Sequence, residues 1–197
     1  MSNSIDAREF DKAAEATGAS GATRGLRNLY YVRFGFAVAW AALIAISAST
    51  LNPASIALLV AYPLFDAAAA VVDFRSSGVV RARSPLYVNI ALSVLAAIGL
   101  AVATASDIPA VLRVWGVWAI TAGVVQLIVA ILRYRLGGQW AMILSGGISV
   151  LAGATFIMQA GGAKPSVTTV AGYATLGGIF FLISAIRLHR NAARSRR

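Results

Sequence analysis

Six long apolar stretches constrain the fold of this chain more than any other feature of its sequence. Each is long enough for a helix that crosses a lipid bilayer, which takes about 20 mostly apolar residues. Charged or turn-forming residues separate them. The stretches are Leu29–Ser49, Ala54–Val72, Leu86–Ala105, Pro109–Leu132, Trp140–Gln159 and Val167–Ile186. The sequence therefore predicts an all-α membrane protein, a polytopic bundle of six transmembrane helices.

The composition agrees with this prediction, because 59% of the 197 residues are hydrophobic, against about 45–50% in soluble domains. The chain has no cysteine and one histidine, His189. This excludes disulfides, thiolate catalysis and metal sites built on cysteine or on a histidine cluster. The sequence contains no HExxH motif, no phosphate-binding glycine loop after a strand and no pair of carboxylates placed for acid–base chemistry. We therefore expect a protein that is not an enzyme and needs no cofactor or metal.

The basic residues fall on one side of the predicted bundle. The chain carries 17 Lys and Arg against 7 Asp and Glu, a balance that suggests nucleic-acid binding in a soluble protein. Here the basic residues flank apolar spans, and only Lys164 and Arg113 fall on the opposite side. By the positive-inside rule both termini are cytoplasmic. We expect the basic loops to contact anionic lipid, and no nucleic acid to bind.

The polar ends of the chain flank one membrane domain. Residues 1–28 are expected to be a disordered cytoplasmic segment, in which Gly18–Gly25 is a flexible linker. The alternative is that Ile5–Ala16 forms a helix that lies on the membrane or docks a partner. Residues 29–186 form the six-helix domain, and residues 187–197 form a basic cytoplasmic tail.

The second, fourth and sixth spans share one pattern. In each, an aromatic residue is followed four and five residues later by small residues, except that Asp66 takes the first of these positions in the second span. The aromatic residues are Tyr62, Trp118 and Tyr173, separated by 56 and 55 residues. The pattern predicts three repeated helical hairpins, at residues 29–72, 86–132 and 140–186. Packing about a pseudo-threefold axis along the membrane normal is a hypothesis that follows from it.

The segments Trp140–Gly153 (WAMILSGGISVLAG) and Gly172–Ala185 (GYATLGGIFFLISA) resemble the HdeD-like family of short-repeat bacterial inner-membrane proteins. The resemblance extends over roughly residues 30–190. It implies a bacterial plasma (inner) membrane protein with a role in stress or acid resistance, and it supplies no catalytic residues. The first hairpin departs from the family pattern, because Asp66 and Ala67 take the glycine positions.

Small residues four apart occur in three of the spans. The pairs are Ala119 with Gly123, Ser149 with Gly153, and Ala174 with Gly178. Such pairs let helix backbones approach closely in a membrane. They predict helix packing within the bundle or within a homo-oligomer, and a substrate groove is the alternative.

Asp66 is a carboxylate within the apolar stretch Ala57–Asp73, where a charge costs ~2.5–3.5 kcal/mol on insertion scales. Pro63, one turn earlier, is expected to kink this helix. Three polar residues fall at a similar depth in other spans and predict one polar layer in the cytoplasmic half of the bundle. These residues are Arg33, Asn89 and Gln126.

Three interpretations of this layer remain open. Arg33 and Asp66 form a structural ion pair, or Arg33 extends to the interface beside a protonated Asp66, or Asp66 is a proton or cation relay. For the whole chain the sequence favours a non-enzymatic, HdeD-like membrane protein. The alternatives are a small transporter or channel that uses Asp66, and an accessory subunit that docks a partner through its N-terminal segment.

Overall fold

The computed structural model describes residues 3–47, 50–76, 83–132 and 140–194, with most side chains from Arg24 onwards. This part of the chain consists of six helices and contains no strand. They are α1 (Asn3–Ser47), α2 (Pro53–Ser76), α3 (Arg83–Ala103), α4 (Ile108–Leu132), α5 (Trp140–Ala160) and α6 (Thr168–Arg194). Each contains an apolar span of between 18 and 24 residues. The prediction of an all-α bundle of six membrane-length helices is confirmed, and the chain is a multi-pass membrane protein.

The outer surface of the bundle is apolar. Large aliphatic side chains point outwards on every helix, and the exposed fraction reaches 81% at Ile46, 64% at Leu95 and 76% at Met158. A soluble protein rarely exposes such a continuous apolar surface. Hydrocarbon, not water, is the solvent that suits these side chains.

Helix α1 is one helix of 45 residues, and its apolar span begins at Arg24. The sequence predicts a flexible linker at Gly18–Gly25, where the structure has helix instead. Extending an existing helix is far easier than nucleating one, and the residues on both sides of this stretch favour helix.

Several basic residues of the predicted cytoplasmic side lie outside the described residues. They are Arg81, Arg133 and Arg135 in the loops, and Arg196 and Arg197 in the tail.

Local hydrogen bonds fix where two of the helices begin. Asn52 and Ser55 cap α2 reciprocally, because each backbone N–H donates to the other side chain at 3.0 Å. The Asp107 carboxylate accepts a hydrogen bond at 2.7 Å from the backbone N–H of Ala110, in the first turn of α4. These caps satisfy amide groups that a helix leaves free at its start.

The six helices form a ring. Successive helices pack side by side from α1 to α5, and α6 packs against α1, whereas α5 and α6 barely touch. The most extensive interfaces are α4 on α5, α1 on α6 and α2 on α3. They join helices from different predicted hairpins, so the three-hairpin repeat stays a prediction. We call the side where α1 begins and α6 ends the termini side, and the side with the α1–α2, α3–α4 and α5–α6 connections the far side.

The α4–α5 interface is held by glycines. A Cβ atom at Gly123 would lie 2.7 Å from the carbonyl oxygen of Gly146, and one at Gly153 would lie 2.5 Å from that of Gly116. The two backbones are therefore in direct contact. Ser149 lies in the same interface, 2.9 Å from the Cβ position of Gly123.

The other small residues singled out from the sequence also lie between helices. Ala119 and Ala174 are buried in the bundle. A Cβ atom at Gly178 would lie 3.1 Å from the Ala37 side chain, so α6 approaches α1 closely at this point.

The half of the ring towards the far side is filled. Its largest buried side chains pack into one core, which we call the far-side core. They are Trp40, Ile44, Leu59, Leu100, Val111, Leu112, Trp115, Val167 and Val170. This core closes the centre of the ring towards the far side.

Candidate functional site

The half of the ring towards the termini side encloses a cavity of about 530 Å³. Residues from all six helices line it, and we call it the central cavity. It extends from Tyr62 and Trp118 in the middle of the bundle to Asp73 and Arg187 near the termini side. The far-side core lies beyond its inner end.

An ion pair lies in the wall of this cavity. Nη2 of Arg33 on α1 donates to Oδ1 of Asp66 on α2 at 2.6 Å, and also to the Asp66 backbone oxygen at 3.3 Å. The two side chains are 14% and 22% exposed. Both groups therefore remain partly accessible from the cavity.

The second carboxylate oxygen of Asp66 is bound to α3. Asn89 donates to Oδ2 through Nδ2 at 2.9 Å, and Ser93 donates to the same oxygen through its hydroxyl at 2.8 Å. The Asp66 side chain thus links three helices. Ser93 was not predicted as part of the polar layer, although it lies four residues after Asn89 and so on the same face of α3.

Gln126 on α4 also lines the central cavity, but it is not a hydrogen-bond partner of Asp66 in the described part of the chain. Of the four residues predicted for the layer, the structure brings Arg33, Asp66 and Asn89 into contact. Depth in the span is common to all four, but depth does not determine the position around a ring of helices.

The guanidinium group of Arg33 is held from two sides. Besides the Asp66 contact, its Cζ atom lies 4.6 Å from the centroid of the Phe181 ring on α6, a cation–π contact. Arg33 therefore reaches into the bundle instead of extending to the membrane interface. No spacing in the sequence pairs Arg33 with an aromatic residue so far along the chain.

Aromatic rings form the inner end of the cavity. The Tyr62 ring lies 4.6 Å from that of Trp40, 5.6 Å from that of Trp115 and 6.1 Å from that of Trp118. The Trp40 indole N–H donates to the carbonyl oxygen of Leu58 at 2.6 Å.

That hydrogen bond lies one turn before Pro63, which has no N–H for the carbonyl oxygen of Leu59. Pro63 is buried, and α2 continues as one helix through it. The kink expected at Pro63 stays a prediction. The Trp40 indole therefore binds the carbonyl oxygen next to the one that Pro63 leaves without a helical partner.

Residues that align between the second, fourth and sixth spans take corresponding positions relative to the central cavity. The three aromatic residues of the pattern, Tyr62, Trp118 and Tyr173, all line the central cavity. So do the residues four positions later, which are Asp66, Ala122 and Gly177. The residues five positions later are buried, and they are Ala67, Gly123 and Gly178. The carboxylate of the first span therefore takes a cavity-facing position that is occupied by Ala or Gly in the other two.

The gap between α5 and α6, which we call the α5–α6 seam, is bridged by few contacts. The Tyr173 hydroxyl donates to the Ser149 hydroxyl across it at 3.0 Å. Tyr173 and Leu176 line both the central cavity and a second cavity of about 280 Å³ in the seam. These two side chains form the partition between the two spaces.

The described residues contain no group of three His, Asp or Glu side chains that could hold a metal ion. No protein-family model, no curated protein and no solved structure matches this chain. The chemistry of the central cavity is therefore the guide to its function.

Proposed function

We propose that this chain is a non-enzymatic membrane transporter whose central cavity binds a small amphipathic solute. The observation that carries the proposal is the cavity itself. All six helices line it, the Arg33–Asp66 pair lies in its wall, and apolar and aromatic side chains form much of the remainder.

A purely structural bundle does not need this space. Protein interiors are normally close-packed, as the far-side core is in this chain. An ion pair that only fastened α1 to α2 would be as effective in a filled bundle. A charged residue within a span usually faces a partner or a polar space, and Asp66 has both.

A site that is accessible from one side and closed on the other suits a carrier. The central cavity extends to the termini side, and the far-side core blocks the opposite path. By the positive-inside rule we propose that the cavity faces the cytoplasm. The HdeD-like relationship, the bacterial inner membrane and a stress-related role rest on the resemblance alone and remain proposals.

The contacts of Asp66 favour a fixed ion pair over a proton relay. A relay group must bind and release a proton readily. The Asp66 carboxylate instead accepts hydrogen bonds from Arg33, Asn89 and Ser93 at once, which stabilises a single arrangement. Docking through the N-terminal segment stays a prediction, because the side chains of residues 1–20 lie outside the described ones.

Cysteine accessibility tests the proposal, because the chain has no cysteine of its own. Ala122→Cys places one thiol in the cavity wall, and Ala103→Cys places one in the buried core near the far side. In sealed vesicles a membrane-impermeant, charged thiol reagent is expected to label the Ala122→Cys variant from the termini side. The Ala103→Cys variant is the matched control and is expected to stay unlabelled.

Failure to label a folded Ala122→Cys variant from either side would contradict the proposal. It would show that the cavity does not communicate with water, as in a structural bundle. Slow labelling of the same variant from the far side as well would be direct support for alternating access.

A further inference from the structure

Arg33 and Asp66 differ in how many of their hydrogen-bonding groups have a partner. The carboxylate of Asp66 accepts side-chain hydrogen bonds on both oxygens, from Arg33, Asn89 and Ser93. These fill three of its roughly four acceptor positions. The guanidinium of Arg33 uses only Nη2. Its Nε and Nη1 donors have no partner among the described residues.

The unused donors belong to a side chain that lines the central cavity. Further polar side chains line the same space, among them Tyr30, Tyr62, Gln126 and Ser145, and each of them can donate as well as accept a hydrogen bond. The other charged side chains that line it are Asp73 and Arg187, of opposite sign, and both lie at the termini side. Arg33 can only donate hydrogen bonds, and the Asp66 carboxylate already accepts three from side chains. A ligand that reaches Arg33 therefore meets a surplus of hydrogen-bond donors.

We propose that Arg33 is an anion-binding subsite, and that the ligand of the central cavity is an amphiphile with a carboxylate or phosphate group. The proposal rests on the proposed function, since it names the solute that the cavity binds. A planar guanidinium binds such groups through several charge-assisted hydrogen bonds. The cation–π contact with Phe181 restrains the guanidinium group, so less entropy is lost when the anion binds.

The apolar part of the same ligand has a matching wall. Trp118, Leu176 and Phe180 line the cavity from α4 and α6. An anion without an apolar part would leave this surface uncovered. The cavity therefore favours an amphiphile over a small free ion.

Quenching of tryptophan fluorescence by brominated amphiphiles tests the proposal with the full chain in phosphatidylcholine nanodiscs. The probes are 11-bromoundecanoate, 11-bromoundecanol and 11-bromoundecyltrimethylammonium, which share a brominated chain and carry an anionic, a neutral and a cationic head group. Trp118 lines the cavity and is the reporter, while Trp40 and Trp115 are buried in the far-side core and their emission forms the baseline. The background carries Trp140→Phe, because Trp140 is exposed at the start of α5 and would be quenched from the lipid.

Two variants distinguish the contribution of the Arg33 charge from that of the Asp66 charge. Asp66→Asn removes the carboxylate that competes for Arg33, and it is expected to tighten carboxylate binding by about tenfold, the scale of one charge-assisted hydrogen bond. Arg33→Gln combined with Asp66→Asn removes both charges. In this double variant the carboxylate and the alcohol are expected to quench equally.

The outcomes distinguish the subsite from the proposed function. The subsite is supported if the wild type prefers the carboxylate probe, if Asp66→Asn strengthens this preference and if the double variant abolishes it. A preference for the trimethylammonium probe that Asp66→Asn weakens overturns the subsite and leaves the transporter proposal standing. If inorganic phosphate or acetate competes with the probe as strongly as the unbrominated amphiphile does, the claim that the ligand is an amphiphile is overturned and the anion-binding subsite is left standing. If no probe gives saturable quenching of the folded wild type, both proposals fail.

Discussion

The two halves of the bundle are built from the same six helices but differ in what occupies the centre of the ring. Towards the far side the inward positions carry bulky groups such as Trp40, Leu59 and Trp115, which fill the space. Towards the termini side, cavity-facing positions carry small residues such as Ala70, Ala122 and Gly177. Small residues at these inward positions therefore contribute to the open space in the termini-side half, which we call the hollow half.

The polar groups follow the same division. Arg33, Asp66 and Asn89 lie in the hollow half, where a charged group can keep partial access to a polar space. The far-side core contains mainly aliphatic and aromatic residues. Under the proposed function, the far half would supply stability and the termini half would supply ligand binding.

Trp115→Ala should have the largest effect on stability. The substitution leaves a void in the filled half, where such changes cost ~3–5 kcal/mol in soluble proteins. We expect about 2–3 kcal/mol, because lipid also solvates apolar side chains of the unfolded chain. Denaturation by SDS, followed by circular dichroism, measures it. Trp140→Ala is the control. Trp140 is exposed and makes a cation–π contact with Arg187 at 5.7 Å, so its loss should cost less than ~1 kcal/mol.

Arg33→Met should have the next largest effect, in the hollow half. Removing one partner of a buried pair typically costs ~3–5 kcal/mol. We expect about 1–2 kcal/mol, because Asp66 keeps its hydrogen bonds to Asn89 and Ser93 and faces the cavity. The same SDS titration measures it. Arg113→Met, at an exposed position near the far side, should change stability by less than ~0.5 kcal/mol. Equal losses in the two variants would mean that the pair contributes nothing.

Ala122→Leu should have the smallest effect on stability and a large one on binding. The added volume enters existing space in the hollow half, so we expect a change within ~0.5 kcal/mol of the wild type. Quenching of Trp118 by 11-bromoundecanoate should decline at the same time. A strongly destabilised variant would show instead that the hollow half is packed in the membrane, and the comparison between the halves would fail.

Helix number and approximate ends could be predicted from the sequence, because the length and apolarity that a bilayer demands leave few alternatives. The ion pair was one of three interpretations, since Arg33 and Asp66 are rare charges at one depth in successive spans. Contacts around the ring could not be predicted. Periodicity gives the depth of Gln126 but not its distance from Asp66, and the Phe181 contact joins the first and last helices. The largest interfaces, including the Gly116–Gly153 contact, also depend on the order of helices around the ring.

The α5–α6 seam gives the central cavity two unlike walls. On one side Asp66 of α2 binds three side chains, Arg33 of α1 and Asn89 and Ser93 of α3. On the opposite side α5 and α6 make few contacts. Two side-chain hydrogen bonds, Tyr173 to Ser149 and Thr169 to Gln159, and a ring contact between Tyr173 and Phe156 bridge them. The wall formed by α1, α2 and α3 is therefore connected more tightly than the wall formed by α5 and α6. If the cavity binds the proposed amphiphile, its head group would lie against the more tightly connected wall and its apolar part beside the α5–α6 seam, so we expect selectivity to be stricter for charge than for size.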